Sequence, residues 1–290
     1  MARFSLYDLM PELPPIRVLD VGALDNTSFP PPYAALVAAG RAQLIGFEPD
    51  LAGCMTLNRK YGAPHKFLPL FAGAGGPARY HETVIADTGS LYPPNLPVLG
   101  LFTDLARAFE VVGVKDVQTV RIDDIAEIDD VDLFKIDIQG GELDVFRGAP
   151  KALAQTVMVH TEVMFVEMYD GQPMFADIDQ HLRERGFWLH TFLGMGSFTM
   201  TPLKSGDPDR GLNQRLWSDA VYIRHPLRFA NLSPVKLRKM AVLANDVYGS
   251  FDLAFHCLNA ADQLDGAAWG VHYLARLTQP GPDASARPPR

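Results

Sequence analysis

From Ile16 to Ala72 the chain alternates short apolar runs with stretches of helical composition: Ile16–Val21, then YAALVAAG after Pro30, Pro31 and Pro32, then Gln43–Phe47, Leu51–Tyr61 and Lys66–Ala72. Near-continuous apolar runs of this length are strands buried on both faces, and the prolines before the first helix and the glycine after it frame its ends. The order is β-α-β-α-β, and with connections this short it predicts a parallel sheet with helices on both faces. Beyond Gly73, Gly75 and Gly76 the pattern loosens. Ala78–Ala86 reads as a hairpin arm, and Asp87–Leu99 (DTGSLYPPNLPVL) as a loop whose prolines exclude a central strand, a candidate lid or substrate loop. Val117–Ile122 is a short strand. Val131–Pro150 (VDLFKIDIQGGELDVFRGAP) reads as strand, tight turn at Gly140-Gly141, and helix, with Asp137 at the strand's exit. Thr156–Val163, Phe187–Phe192 and Ser218–Arg224 complete the strands, and Phe175–Arg185 is a helix.

At Ser233-Pro234 the period changes. Leu237, Met240, Ala241, Ala244, Val247 and Tyr248 recur every three or four positions behind a serine N-cap with proline at the first helical position. Two further stretches, Phe251–Leu264 and Ala267–Leu277, also read as helix. The expected organisation is an α/β domain over residues 1–228, a helical appendage over 229–279, and a disordered tail at 280–290, rich in proline, alanine and charge.

Composition narrows the partners. With 290 residues, 48% hydrophobic, the chain is long enough for one substantial α/β domain plus the appendage. A formal net charge of -8 and the lack of any Lys/Arg run interleaved with aromatics argue against nucleic acid. Cys54 and Cys257 stand alone, without CxxC spacing, so neither a disulfide framework nor a zinc site is indicated. No window approaches the roughly 20 apolar residues that span a bilayer, and no export signal is visible. The expectation is a cytoplasmic protein with no membrane span, whose C-terminal helices offer a surface to a second copy or another partner.

Ligands of open α/β sheets gather beyond the carboxyl ends of the strands, which directs attention to three exits. The first is Asp20-Val21-Gly22-Ala23. A pyrophosphate site needs further glycines there, and Leu24 onward supplies none, so a nicotinamide dinucleotide is excluded while a phosphate-free nucleoside still fits. The second is Glu48, placed to accept both hydroxyls of a ribose, with Asp50 the better N-cap for the following helix. The third is Asp137. Glu142 begins the next helix, where a carboxylate suits the macrodipole.

These segments together, DVGA, FEPD and above all DLFKIDIQGGELDVFRGA at Asp132–Ala149, resemble the FkbM-type family of S-adenosylmethionine-dependent methyltransferases over roughly Val18–Phe192, and LWSDAVYIR resembles its closing strand. The resemblance implies a class I methyltransferase: a Rossmann-like, doubly wound, mostly parallel sheet of seven strands, here with a small C-terminal α-helical appendage. It implies S-adenosylmethionine as cofactor, with Asp20, Gly22 and Ala23 at its amino-acid end, Glu48 on the ribose, Ala72 and Gly73 beside the adenine through backbone groups, and Asp137 near the sulfonium. The family's D-V-G-A-N-x-G is departed from at Leu24 and Asn26, and Gln139 stands where an acid is expected.

A hydroxyl acceptor loses a proton during methylation, so a base is useful. Asp137 is the first choice. His160 and Glu162 share a face of the neighbouring strand and can join it in one polar cluster, although a buried histidine with satisfied hydrogen bonds is an equal reading of His160. Asp137, Glu142 and Glu162 are also able to supply oxygens to a divalent metal, but no local ligand spacing supports that and no metal is assigned. Tyr92 and Asn95, in the irregular middle, are candidate acceptor contacts. The expected activity is O-methylation of a hydroxyl on a sugar, glycan or secondary metabolite. The alternative is a methyltransferase-like binding or assembly module without activity, for which Leu24 and Asn26 speak.

Overall fold

The computed structural model describes residues 4–24, 30–204 and 211–278. The first half runs β1 (Ile16–Val21), α1 (Ala34–Ala38), β2 (Ala42–Phe47), α2 (Leu51–Tyr61), β3 (Lys66–Leu68), β4 (Phe71–Ala72) and β5 (Gly76–Thr83). Two short helices follow, α3 (Leu96–Leu99) and α4 (Leu105–Ala108), and then β6 (Val111–Val120). Next come β7 (Leu133–Ile136), α5 (Glu142–Arg147), α6 (Pro150–Gln155), β8 (Met158–Met164), α7 (Phe175–Glu184), β9 (Phe187–Gly196) and β10 (Trp217–Arg224). Three helices close the chain: α8 (Pro234–Val242), α9 (Phe251–Asp265) and α10 (Trp269–Thr278).

Seven strands form one sheet in the order β3-β2-β1-β7-β8-β10-β9. β1, β7 and β8 are parallel, and β10 runs antiparallel to both β8 and β9. This is the seven-stranded, mostly parallel sheet that the resemblance implies. The order reverses between β1 and β7, which puts the carboxyl ends of those two strands at a switch point. A second sheet, β4-β6-β5, holds the hairpin arm.

Two runs depart from the sequence reading. Lys66–Ala72 is not one strand: Pro69, with no N–H to donate, cuts it, so that β3 pairs with β2 and β4 pairs with β6 in the other sheet. The short strand expected at Val117–Ile122 is the end of the ten-residue β6, whose first half is exposed at Val111, Val112 and Val114 and so lacks the two-faced apolar signature.

The core of the α/β part lies on one face of the sheet. Leu19 and Val21 of β1, Phe134 and Ile136 of β7, and Val159 and Val163 of β8 pack against Leu143, Val145 and Phe146 of α5, Leu153 of α6, and Ile178 and Leu182 of α7. The opposite face of the same strands carries charge: Asp20, Lys135 and His160 are register partners across β1, β7 and β8, and Asp219 of β10 pairs with Glu162.

By internal contacts the chain forms two compact units. One is Val18–Asp25 with Leu44–Arg224, and it contains every candidate site residue. The other gathers the described residues of Met1–Arg17, Asn26–Gln43 and His225–Arg290. Within it Ser233 caps α8 by accepting from the Lys236 N–H, as its sequence foretells. A π-helical turn, Leu243–Val247, then turns Asn245 and Asp246 toward the N-terminal segment, where Asp246 accepts from the Ser5 hydroxyl at 2.6 Å and the Leu6 N–H at 3.0 Å. Asn26 and the tail at 280–290 lie outside the described residues. Among those described, no helix is long and apolar enough to cross a membrane.

Candidate functional site

The turn after β1 is stitched to the end of β2. The Phe47 carbonyl accepts from both the Gly22 and Ala23 N–H groups, at 3.2 and 2.9 Å, which fixes Glu48, the next residue, beside the turn. Gly22 has φ +83°, and a Cβ there would sit 2.0 Å from the Asp137 carbonyl oxygen. Only glycine allows both the backbone angle and the approach. The Asp137 N–H bonds to the Val21 carbonyl at 3.1 Å, so the exits of β1 and β7 touch through backbone alone.

Glu48 accepts from the Asp50 N–H through one oxygen at 2.8 Å, and Asp50 caps α2 at the Gly53 N–H, as its place ahead of the helix predicts. Burial, set against the Asp50 hydrogen bond, pushes the Glu48 carboxyl above its ordinary range, with the negative charges of Asp50 and Asp20 adding to the shift. A half-buried carboxylate with an uncommitted oxygen is suited to receive the paired hydroxyls of a ribose. Together with the Gly22 turn it fits the nucleoside-containing cofactor that the resemblance implies.

Asp20 is buried, and its carboxylate lies 3.3 Å from the Lys135 ammonium, which also reaches the Gly22 carbonyl at 3.4 Å. Burial alone would lower the Lys135 pKa, but Asp20, Asp137 and Asp219 outweigh it and raise the pKa. Lys135 is therefore a fixed cation beneath the turn. Asp20 is braced by it, which makes its contribution to the site one of shaping the Gly22 backbone.

The turn after β7 is the most heavily bonded part of the site. Gln139 has the left-handed φ of +61°, and Gly140 follows at +100°. Glu142, buried, folds back to accept from the Ile138 and Gly140 N–H groups at 2.9 and 3.2 Å, acting as the turn's cap. The Gln139 side-chain nitrogen donates to Asp137 and to Glu162, both at 2.9 Å. Oxygens of Asp137, Glu142 and Glu162 all lie within 4.8 Å of one another. Desolvation raises the Glu142 pKa to about 7, and desolvation together with the charges of Asp137 and Glu142 raises Glu162 well above the ordinary range. Crowded carboxylates out of water cannot all be ionised, so protons are held here near neutral pH.

The structure thus brings Asp137 and Glu162 together at the switch point, next to Gly22. His160 stands one rung behind, on the same face, with its Nε2 3.5 Å from Asp219. Tyr92 and Asn95 have structural partners: the Tyr92 hydroxyl donates to Asp144 at 2.7 Å, and the Asn95 side chain caps α3 at the Val98 N–H. Ala72 is part of the core, and the Gly73 N–H is bonded to Val120, so these two reach any ligand only through what backbone remains.

Residues absent from the sequence reading also face this region. Tyr169, in the loop that follows β8, donates its hydroxyl toward the Thr88 carbonyl at 2.8 Å and the Gln139 side-chain oxygen at 3.0 Å. Ser90 donates to the Gln139 carbonyl at 2.6 Å. Tyr80 of β5 packs on Phe71 at 5.1 Å between ring centres, and its pKa is raised by burial and by the charge of Glu48, which places an aromatic near that acid. The loop after β8 lies beyond a strand exit, where ligand-binding residues gather, but nothing in its sequence singles out Tyr169. No sequence signal marks Tyr80.

A seven-stranded sheet of this order, with an acid at the exit of β2 and another at the exit of β7, defines a class I, S-adenosylmethionine-dependent methyltransferase. The family model "Methyltransferase FkbM domain" matches residues 20–189, and the chain belongs to that family. NoeI, a 2-O-methyltransferase of Sinorhizobium fredii (strain NBRC 101917 / NGR234), is 38% identical over 188 residues, covering 58% of this chain and 72% of that protein. Among solved structures, the magnesium protoporphyrin IX methyltransferase ChlM from Synechocystis PCC 6803 with bound SAM covers 75% of this chain and 74% of its own, at 12% identity and a TM-score of 0.36. The N-terminal domain of EvdMO1 with SAH bound covers 76% of this chain and 78% of its own, at 10% identity and a TM-score of 0.36. An inactive assembly module is not favoured by the family match.

Proposed function

We propose that the enzyme methylates a hydroxyl of a sugar, free or within a glycan or secondary metabolite, with Asp137 as the base. The observation that carries this reading is the backbone contact between Gly22 and Asp137, which ties the cofactor turn to a carboxylate at the switch point. The relative NoeI, named a 2-O-methyltransferase, supports a hydroxyl acceptor. Gly22, Ala23 and Glu48 would hold the cofactor, with Asp20 and Lys135 beneath the turn and Ala72 and Gly73 at its far side.

When bound, S-adenosylmethionine supplies an electrophilic methyl group on a sulfonium that departs as a neutral thioether. The protein's task is then to aim the acceptor oxygen and to take its proton. Asp137 accepts that proton. Burial and the Asp137 charge raise the proton affinity of Glu162, which limits the negative charge on the pair, and Lys135, paired with Asp20, also faces Asp137. His160, bound toward Asp219, keeps the next rung polar. Tyr92 and Asn95, with hydroxyl and amide committed to Asp144 and to the cap of α3, brace the middle segment.

Glu48→Ala should weaken S-adenosylmethionine binding about tenfold or more in calorimetry, the loss expected when a charged acceptor of two hydroxyls is removed. Asp137→Asn should leave that affinity nearly unchanged and lower kcat on a sugar acceptor by about 10²–10⁴-fold, the usual contribution of a positioned base. Undiminished turnover in the Asn variant would remove Asp137 from the role.

A further inference from the structure

Gln139 occupies an unusual position in three respects. It holds a left-handed backbone angle that residues with a Cβ rarely adopt, immediately before a glycine that would take it without cost. Every polar group of its side chain is committed: the nitrogen to Asp137 and Glu162, the oxygen to the Tyr169 hydroxyl. Its carbonyl is held by Ser90. With two carboxylate oxygens in front of it, the nitrogen is the end of the amide that faces them, since an oxygen there would be repelled. A backbone in a strained region persists when its surroundings over-determine it, and here the surroundings are the acids of the site.

The amide nitrogen sits between two acidic oxygens at 2.9 Å from each, the place where a divalent cation would otherwise bridge them. The third nearby acid, Glu142, spends one oxygen on the Ile138 and Gly140 N–H groups and so has a single oxygen to offer an ion there, within 4.8 Å of oxygens of Asp137 and Glu162. We propose that Gln139 takes the place of a metal ion: it is a positioning residue that holds Asp137 and Glu162 in one geometry by hydrogen bonds, so that the site works without a divalent cation. Exchanging the amide for a carboxylate should create the cation site that glutamine forestalls. The catalytic half of this inference rests on the reading of Asp137 as base; the cation half does not.

The test uses the full chain and manganese as probe, followed by electron paramagnetic resonance. The wild-type protein should show no saturable Mn²⁺ site, whereas Gln139→Glu should gain one with a dissociation constant on the order of 10⁻⁴ M or tighter, lost again in Gln139→Glu/Glu162→Gln. Turnover of the wild type should be indifferent to a chelator. Gln139→Ala should lower kcat while leaving the cofactor's KM within about twofold, the pattern of a group that orients the reacting acid. A stoichiometric Mn²⁺ site in the wild type that Glu162→Gln abolishes would overturn the proposal. So would chelator inactivation reversed by Mg²⁺ or Mn²⁺, or a Gln139→Glu variant with a wild-type circular dichroism spectrum that binds no Mn²⁺. Calorimetry with S-adenosylmethionine on the same samples separates the two claims: a chain that binds no cofactor refutes the proposed function, while the manganese titration still decides the role of Gln139.

Discussion

On one face of β7 and β8, Phe134, Ile136, Val159 and Val163 are closed against α5, α6 and α7; on the other, at alternate positions of the same strands, Lys135, His160 and Glu162 stand between Asp20 and Asp219. The apolar side chains, His160 and Glu162 are buried and Lys135 is largely so, yet the two faces are held by different physics. The first gains from removing apolar area from water and tolerates no loss of volume. The second is a set of charges that must neutralise one another because water cannot do it for them. A period of two residues lets one strand serve both ends, with the packing on one side and the chemistry on the other.

That contrast can be broken from either side. Phe134→Ala deletes a ring that is wholly buried and packed edge-on at 5.4 Å against Phe146, and should cost about 3–5 kcal/mol in urea unfolding. Affinity for cofactor, measured where the variant is folded, should change little. Lys135→Met keeps the stem and removes the charge. Asp20 then lies buried without its cation, and a loss of about 3 kcal/mol is expected, part of it recovered when Asp20→Asn is added. If the double variant recovers nothing, the polar face is not a charge-balanced set.

The pH response separates the faces further. The Glu142 pKa is raised to about 7 in the folded chain from an ordinary 4.5, so the folded state binds the extra proton. Its stabilising effect is complete below about pH 4.5 and is lost as pH rises through about 7, a swing of about 3 kcal/mol for a shift of this size. Glu142→Gln, whose amide oxygen can still cap the Ile138 and Gly140 N–H groups, should flatten the stability profile across that window. An unchanged profile would assign the held proton elsewhere, with Glu162 the next in line.

Much of this was legible in the residues. The short, apolar-rich runs of β1, β2, β7 and β8, alternating with helical stretches, and the tight turn at Gly140-Gly141 marked the parallel core, because isolated polar positions such as Lys135 and Glu162 do not break an apolar run. Glu48 and Asp137 were visible as acids at strand exits. What escaped the sequence depends on distant partners. Pro69 was read as part of a strand that it divides. β6 was shortened because its exposed half looks like loop. Asn95 drew attention as a loop residue, while the proline at the start of α3 already marked it as a cap. Gln139 looked like a mild replacement until Ser90, Tyr169 and Glu162, up to 49 residues away, closed around it.

The contact between Gly22 and the Asp137 carbonyl has a further consequence for how the enzyme can vary. Because one backbone rests directly on the other, the spacing from the Gly22 turn to the Asp137 backbone is set by peptide geometry and not by side chains that drift or repack. The two exits behave as one machined part. Surrounding loops are free to vary while that gauge stays constant, and even a single methyl group added at residue 22 would push the two exits apart.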